Sequence, residues 1–368
     1  MLPPRLMRRL ALVPLVIVIT AGLAVSIPLV ALLNAAFNLV RRPAAPGRAP
    51  GRARRSRTLR VACLALAWSA GETAALTVLL CLWIASGFGG RLRTESYQAR
   101  HYAVMRWFLA LIYRAAQRAC GLKVEVSGPP DAPQADGRPV VVLCRHAGPA
   151  DSLLLVHHLL AVCGRRPRVV MKAALQWDPG LDVVANRLPN AFLHRSARTG
   201  KASAATGQIR RLATGLRAGD ALVIFPEGAN WTPFRWQRAI ERLRRRGHEE
   251  LAVRMAAMPN VLPPRPAGTL AALAACPDAD VVFVAHTGLD RLVSVRDVWR
   301  SLLTDMEARA RWWRVPADGV PRGAPREAQV AWLYDWWERV DAWITAENGR
   351  AAKAAHAHWP PPGNGGGQ

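Results

Sequence analysis

Lysine and acidic residues are scarce in this chain of 368 residues. Of its 50 basic residues 4 are lysines and 46 are arginines, against 25 aspartates and glutamates. The formal net charge of +25 suits anionic partners, such as lipid headgroups, nucleic acid or phosphorylated substrates. Alanine, glycine and proline are abundant, so the arginine excess also fits a GC-rich coding bias. Part of the charge is then solvated surface, and basicity alone defines no partner.

Paired cysteines are lacking as well. The 6 cysteines include no CxxC pair, and none has the spacing usual for zinc ligands. They are Cys63, Cys81, Cys120, Cys144, Cys163 and Cys276. We therefore expect reduced thiols, which argues against a zinc site and against a disulfide-stabilised scaffold. The sequence also contains no internal repeat.

Charged side chains are absent from Leu10 to Val40. This run is longer than the roughly 20 residues that span a bilayer, and longer than the apolar part of a signal peptide. A basic linker, 41–60, separates it from a second apolar run, Val61–Gly90, in which Glu72 is the one charge. Residues 1–90 are therefore predicted to form a membrane-associated hydrophobic helical hairpin.

Two membrane topologies remain open for this pair of segments. If both span, the positive-inside tendency places the basic linker in the cytoplasm and both ends outside. If at least one segment is re-entrant or interfacial, the domain that follows can stay cytoplasmic. We favour the second topology. The prediction is a protein of the cell membrane in which the domain that follows these segments lies on the cytoplasmic side.

From Arg91 the composition becomes that of a soluble domain in which buried strands alternate with helices. Strands are predicted at Leu122–Val126, Val140–Leu143, Arg168–Met171, Ala191–Leu193, Ala221–Phe225 and Val281–Ala285. Helices are predicted at Tyr102–Cys120, from Asp151, at Ala202–Ala218 and Phe234–Arg246, and near 294–313 and 327–346. Residues 172–190 are predicted to be irregular. Residues 91–346 are then one domain, and 347–368 a disordered tail.

This order predicts an α/β fold, with a mixed or mostly parallel sheet covered by helices. Ligands of such folds bind beyond the C-terminal ends of the strands. His146, Arg195 and Glu227 each follow such an end. These three positions are therefore the first places to look for a site.

The stretch around His146 combines a base with a carboxylate. His146 follows a buried strand, and Asp151 opens the next helix after a turn at Gly148-Pro149. A carboxylate that holds one imidazole nitrogen makes the other a better base at neutral pH. The alternative is an N-terminal helix cap beside an incidental histidine.

Two spaced patterns resemble those of the glycerolipid acyltransferases, a family that includes the 1-acylglycerol-3-phosphate acyltransferases. HxxxxD runs from His146 to Asp151, and FPEG runs from Phe225 to Gly228. Residues 192–195 resemble the family's second motif and 261–265 its fourth, while 332–334 with Asp341 are similar to the lysocardiolipin acyltransferase branch. The resemblance covers about residues 100–345. In two places the chain departs from the family: Pro189 replaces a usual glycine, and Ala229-Asn230 replace Thr-Arg after FPEG.

The resemblance implies roles for single residues. His146 is the general base and Asp151 orients it. Glu227 and Gly228 help to form the acceptor site. Arg195 is the phosphate anchor, with Lys172 and Arg265 as further substrate-binding cations that offset the missing arginine. Arg145 is a weaker cation of the same kind. For each cation a structural role is the alternative.

The predicted function is that of an acyltransferase that moves a fatty acyl chain from acyl-CoA, or from an acyl carrier protein, to the sn-2 hydroxyl of lysophosphatidic acid. The product is phosphatidic acid. The resemblance implies no metal and no bound cofactor, and no specific nucleic acid is expected. One alternative is another lysophospholipid or a glycolipid as acceptor. Another is a non-catalytic basic membrane tether that binds anionic lipid or nucleic acid.

Overall fold

A computed structural model describes residues 2–40, 57–128, 137–193, 199–289 and 306–357. Its helices, numbered α1 to α10 in chain order, are Arg5–Val40, Arg57–Ala85, Glu95–Cys120, Pro149–Ala161, Pro179–Arg187, Thr199–Thr214, Pro233–Arg245, Glu249–Ala256, Pro266–Ala275 and Arg326–Ala357. Its strands, β1 to β7, are Lys123–Ser127, Val140–Cys144, Arg166–Lys172, Ala191–Leu193, Asp220–Ile224, Asp280–Thr287 and Glu307–Val315.

Within the described residues, the strands form one seven-stranded sheet in the order β1-β7-β6-β2-β5-β3-β4. The pair β6–β7 is antiparallel and every other neighbouring pair is parallel. The predicted fold class, a mostly parallel or mixed sheet covered by helices, is confirmed. Strands β2, β5 and β6 are neighbours, so their C-terminal ends lie side by side.

The sheet is buried on both faces, which explains why its central strands are continuous apolar runs. Successive residues of β2 alternate between two cores. Val141 and Leu143 pack in the core beneath α6, α9 and α10, and Val140 and Val142 pack in the core that includes Leu155 of α4. All of β2 is therefore out of solvent, and the chain first becomes partly exposed at His146.

The two N-terminal helices are each long and apolar enough to cross a membrane. They pack against each other, and Oγ1 of Thr20 lies 3.1 Å from Oγ1 of Thr73 between them. In α1 the most apolar window is not buried at all, and Leu10 and Val18 are more than 60% exposed. This large apolar surface is the structural basis for membrane association.

Both helices are hydrogen-bonded to α5, which belongs to the domain that follows them. The buried Asp182 accepts hydrogen bonds from Arg8 at 2.6 Å and from Arg9 at 2.8 Å. Glu72 accepts a bond from the backbone amide of Gly180 at 2.9 Å, so it faces a neighbouring segment of the protein. Both helices of the hairpin are thus hydrogen-bonded to the segment that contains α5.

Residues 307–315 correct the prediction of a helix near 294–313. They form β7, while 290–305 lie outside the described residues. Alanine, arginine and glutamate favour helices locally, but here alanines and arginines alternate from Ala308 to Arg311. Pairing with β1 and β6 outweighs the local preference.

Three other boundaries also change. The predicted irregular stretch 172–190 contains a 3₁₀ turn, Ala173–Trp177, and α5, whose cap Asp178 accepts a bond from the amide of Leu181 at 2.7 Å. The helix α2 begins at Arg57, inside the predicted linker. The predicted tail is wrong for 347–357, because the alanine-rich end of α10 continues to Ala357. Residues 358–368 lie outside the described residues.

Candidate active site

His146 and Asp151 are brought together by the turn between β2 and α4. Nδ1 of His146 lies 3.2 Å from each carboxylate oxygen of Asp151. Asp151 is the third residue of α4, and Pro149 starts the helix with the fixed φ that suits its first turn. The predicted contact is confirmed. Because Nδ1 is directed at the carboxylate, Nε2 is the ring nitrogen left to meet a substrate hydroxyl.

Asp151 is held as an anion although its side chain is 1% exposed. Its Oδ2 accepts bonds from the amides of Ala147 and Gly148 at 2.6 and 2.8 Å, and Oδ1 accepts one from the hydroxyl of Ser152 at 3.0 Å. Burial by itself would raise the pKa of Asp151, but hydrogen bonds from His146 and His286 outweigh burial and lower it. A permanent carboxylate is what an imidazolium beside it needs.

The imidazole ring of His146 is held from its other sides as well. It packs on Phe225, with ring centroids 4.5 Å apart. The carbonyl of His146 accepts a hydrogen bond from the amide of Trp231 at 2.7 Å. Its side chain is 12% exposed, which leaves a narrow opening for a substrate atom.

Glu227 connects the FPEG turn to the histidine loop. Its Oε1 accepts a hydrogen bond from the backbone amide of His146 at 3.4 Å. The side chain is buried, and Oε2 has no hydrogen-bond partner among the described residues. Burial raises the pKa of Glu227 well above its usual value, although the charge of Arg145 and the amides of His146 and Leu262 lower it in part.

Gly228 lies directly beneath the side chain of Arg265. Its φ is +65°, and a methyl group on it would stand 2.9 Å from Cζ of Arg265. The amide of Arg265 donates to the carbonyl of Pro226 at 2.9 Å, which fixes the two loops together. The exposed guanidinium of Arg265 therefore covers the FPEG turn.

The other predicted cations differ in their positions relative to the His146–Asp151 pair. Lys172 is exposed at the end of β3, and β5 separates β3 from the strand of His146. Two strand spacings correspond to about 10 Å. Arg195 lies outside the described residues. Arg145 is 2% exposed and donates to the backbone carbonyls of Asn260 and His286, so it has a structural role in the described contacts.

A second histidine, His286, lies next to the His146–Asp151 pair, and the sequence analysis did not predict it. It lies near the end of β6, and its Nε2 is 3.5 Å from Oδ2 of Asp151. The signal was present in the sequence, because His286 directly follows the predicted strand Val281–Ala285 as His146 follows its own strand.

A mostly apolar cavity of about 110 Å³ opens beside Asp151. It lies between α3 and α4 on one side and β1, β2, β6 and β7 on the other. Its lining includes Cys144, Leu155, Val284, Ala308, Ala310 and Trp312. One water needs about 10–15 Å³ by this measure, so the cavity admits a much larger apolar group.

No group of three or more histidines, cysteines, aspartates or glutamates is arranged to hold a metal ion in the described part of the chain.

Comparison with known proteins agrees with the motifs. Residues 123–264, which contain both His146–Asp151 and Phe225–Gly228, match the family described as Acyltransferase. The fold and site thus define an acyltransferase domain preceded by two helices of membrane-spanning length. This similarity of residues 123–264 agrees with the acyltransferase class that the sequence predicts.

One solved structure with a similar chain is the 1-acyl-sn-glycerophosphate (LPA) acyltransferase PlsC from Thermotoga maritima. The two chains are 16% identical with a TM-score of 0.45, and the match covers 83% of this chain and 100% of the other. No curated protein sequence matches.

Proposed function

We propose that this protein transfers a fatty acyl chain from acyl-CoA, or from an acyl carrier protein, to the sn-2 hydroxyl of lysophosphatidic acid and so forms phosphatidic acid. The observation that carries the proposal is the contact of His146 with Asp151, whose side chain also lines an apolar cavity. A base for a hydroxyl and a space for a hydrocarbon chain then lie side by side, which an acyl transfer requires.

His146 acts as the general base. Its Nε2 removes the proton of the acceptor hydroxyl as the oxygen attacks the thioester carbonyl, and Asp151 stabilises the imidazolium that forms. The tetrahedral intermediate then collapses, the C–S bond breaks, and the thiolate takes the proton from His146. The products are an ester and a free thiol, without a covalent acyl-enzyme.

The cavity between α4 and the sheet takes the acyl chain. Asp151 and Cys144 lie at its end nearest the base, while Ala310 and Trp312 line it along β7. A thioester carbonyl near Nε2 of His146 would leave its hydrocarbon tail pointing into this apolar space. The burial of the tail supplies binding energy in proportion to the apolar area removed from water.

The acceptor's phosphate binds near the FPEG turn. Arg265 covers Gly228 there, and a guanidinium offers the bidentate contact that phosphate oxygens favour. This arginine takes the place of the one missing after FPEG, where Ala229-Asn230 stand. Lys172 and Arg195 supply further positive charge, and Glu227 holds the backbone on which the acceptor is bound.

The hairpin keeps the site at a bilayer surface, with the catalytic domain on the cytoplasmic side. Its two helices are fastened to α5, which follows β3 and so lies at the end of the sheet where the site is. A lysophospholipid can then reach His146 without leaving the membrane. An acyl donor made in the cytoplasm meets the same face.

A panel of acceptors tests the proposal. Membranes that contain the wild-type protein are given labelled oleoyl-CoA with lysophosphatidic acid, with other lysophospholipids or with a glycolipid. We expect labelled phosphatidic acid as the main product. A different main product would correct the acceptor, and no product from any acceptor would overturn the proposed function.

The Arg265→Ala variant locates the phosphate. We expect KM for lysophosphatidic acid to rise about 10-fold or more, because a charge-assisted bond is lost, while the rate at saturation changes little. Arg238→Ala, in the basic and exposed part of α7, is the matched control and should leave KM unchanged. Equal effects of the two variants would contradict a specific phosphate site at the FPEG turn.

A further inference from the structure

We propose that His286 is a positioning residue that holds the Asp151 carboxylate in place for His146. The inference rests on the proposed function, because it concerns the same base. It assigns a role to a second histidine that neither of the two sequence motifs includes.

The position of His286 follows from the sheet. Cys144 of β2 pairs with Val284 of β6, so His286 and His146 both lie two residues beyond this pair on adjacent strands. His286 is 4% exposed. Its ring therefore reaches Asp151 from the protein interior, whereas His146 reaches the same carboxylate from the loop.

The hydrogen bonds of His286 define which nitrogen carries the proton. Nε2 lies 3.1 Å from the carbonyl oxygen of Arg145 and 3.5 Å from Oδ2 of Asp151. A carbonyl and a carboxylate both accept, so Nε2 must be the N–H nitrogen and is shared between them. Nδ1 is buried and has no partner among the described residues. The neutral Nε2–H tautomer thus satisfies the described contacts of this ring.

Arg145 fixes His286 in return. Its Nη1 donates to the backbone carbonyl of His286 at 3.1 Å, and its Nε donates to the carbonyl of Asn260 at 2.9 Å. Each of the two side chains therefore bonds the other residue's backbone. This reciprocal pair ties the end of β6 to the residue before His146, which limits the movement of both rings relative to Asp151.

The Nε2–H of His286 competes with His146 for the charge of Asp151. Without this donor, more negative charge remains to stabilise the imidazolium that forms on His146. The activity that depends on neutral His146 should then be lost at a higher pH during acidification. The carboxylate would also have one restraint fewer, and the rate at the optimum should fall.

Other charged or titratable groups close to this cluster stay the same in the variants. They are Cys144, Arg145 and His146 on β2 and its loop, Asp151, His157 and His158 on α4, Tyr113 on α3, Glu227 after β5, and Arg309 on β7. A shift seen on replacing His286 therefore reports the lost Nε2–H.

Three variants provide the test. His286→Phe keeps a ring but removes the donor, His286→Gln offers an amide N–H at the place of Nε2, and His248→Phe is a control at an exposed histidine just before α8. The pH profile of kcat/KM is measured for each variant and for wild type. A histidine NMR titration, assigned with His146→Gln, follows His146 without needing turnover.

We expect His286→Phe to lower kcat about 10-fold and to move the low-pH limb of the kcat/KM profile upward. His286→Gln should restore most of both, and His248→Phe should change neither. Unchanged titration of His146 in His286→Phe would overturn the inference, as would equal shifts in the Phe and Gln variants. Should His286→Phe not fold, His286→Leu replaces it. If wild type acylates no acceptor, the proposed function fails, and the NMR titration still decides the role of His286.

Discussion

Oε1 of Glu227 accepts a hydrogen bond from the backbone amide of His146 at 3.4 Å, across 81 positions of sequence. The FPEG turn therefore supports the loop that carries the base. Because the side chain of Glu227 is buried, its charged form is disfavoured in the folded protein. The stability of the fold should therefore depend on whether Glu227 is protonated.

Glu227→Gln should become more stabilising, relative to wild type, as pH rises. Folding raises the pKa of Glu227 above its usual value of 4.5. Below about pH 4.5 the side chain is protonated in both states, so burying it has no ionisation cost. As pH rises from there toward the folded-state pKa, the free energy of unfolding of wild type decreases. Thermal melts at pH 4.5 and 7.5 should show a Tm difference in favour of the variant that is larger at pH 7.5. The exposed Glu241→Gln is the control, and a difference independent of pH would contradict the burial argument.

Gly228→Ala should impair acceptor binding as well as stability. The residue's φ of +65° costs an alanine about 1–2 kcal/mol, and its methyl group would displace the Arg265 guanidinium. Gly219→Ala is a matched control, because its φ is +77° and nothing lies within 4 Å of the new methyl group. We expect similar losses in unfolding free energy from the two changes, but a several-fold rise in KM for lysophosphatidic acid from Gly228→Ala alone. Equal KM values would count against the Arg265 site.

Asp182→Ala should loosen the hairpin from the domain. It leaves the buried Arg8 without its ion-pair partner, a change that costs about 3–5 kcal/mol. Asp335→Ala removes an exposed pair with Arg254, worth about 0–1 kcal/mol. Protease cleavage between α2 and α3 in detergent should speed up markedly for the first variant only. The same cleavage rate in both would show that the hairpin is held in another way.

Ala310→Leu should shift the donor preference toward shorter acyl chains. Ala310 lines the cavity on β7, so a larger side chain takes up part of the space assigned to the hydrocarbon tail. We expect the ratio of kcat/KM for a 16-carbon donor to that for an 8-carbon donor to fall about 10-fold, since each excluded methylene loses about 0.8 kcal/mol of burial. Ala257→Leu, an exposed site after α8, should leave the ratio unchanged.

The sheet and the position of the base could be read from the sequence because both depend on local signals. A run such as Val140–Leu143, followed by a polar turn, is typical of a buried strand with a ligand at its end. The second strand of this kind, Ala221–Phe225, leads to Glu227 by the same logic. Their adjacency in space could not be derived from either run, since strand order is set by packing across the whole sheet.

The failures also have physical causes. Residues 307–315 have helix-favouring composition but form a strand, because β1 and β6 offer them hydrogen-bonding partners on both sides. His286 was missed because a single histidine after a strand carries no motif, and its meaning depends on the neighbouring strand that brings Asp151 to it. The continuation of α10 to Ala357 was missed because the glycine- and proline-rich end of the chain dominated the interpretation of the alanines before it.

Acyl transfer by the His146→Ala variant is the most direct test of the account. Membranes with wild-type or variant protein, matched for amount and checked by thermal melting, are given labelled oleoyl-CoA and lysophosphatidic acid. The account predicts that wild type forms labelled phosphatidic acid and that the variant is slower by about 10²–10⁴-fold, the contribution of a positioned base. A folded variant that retains the wild-type rate would contradict the claim that His146 is the base.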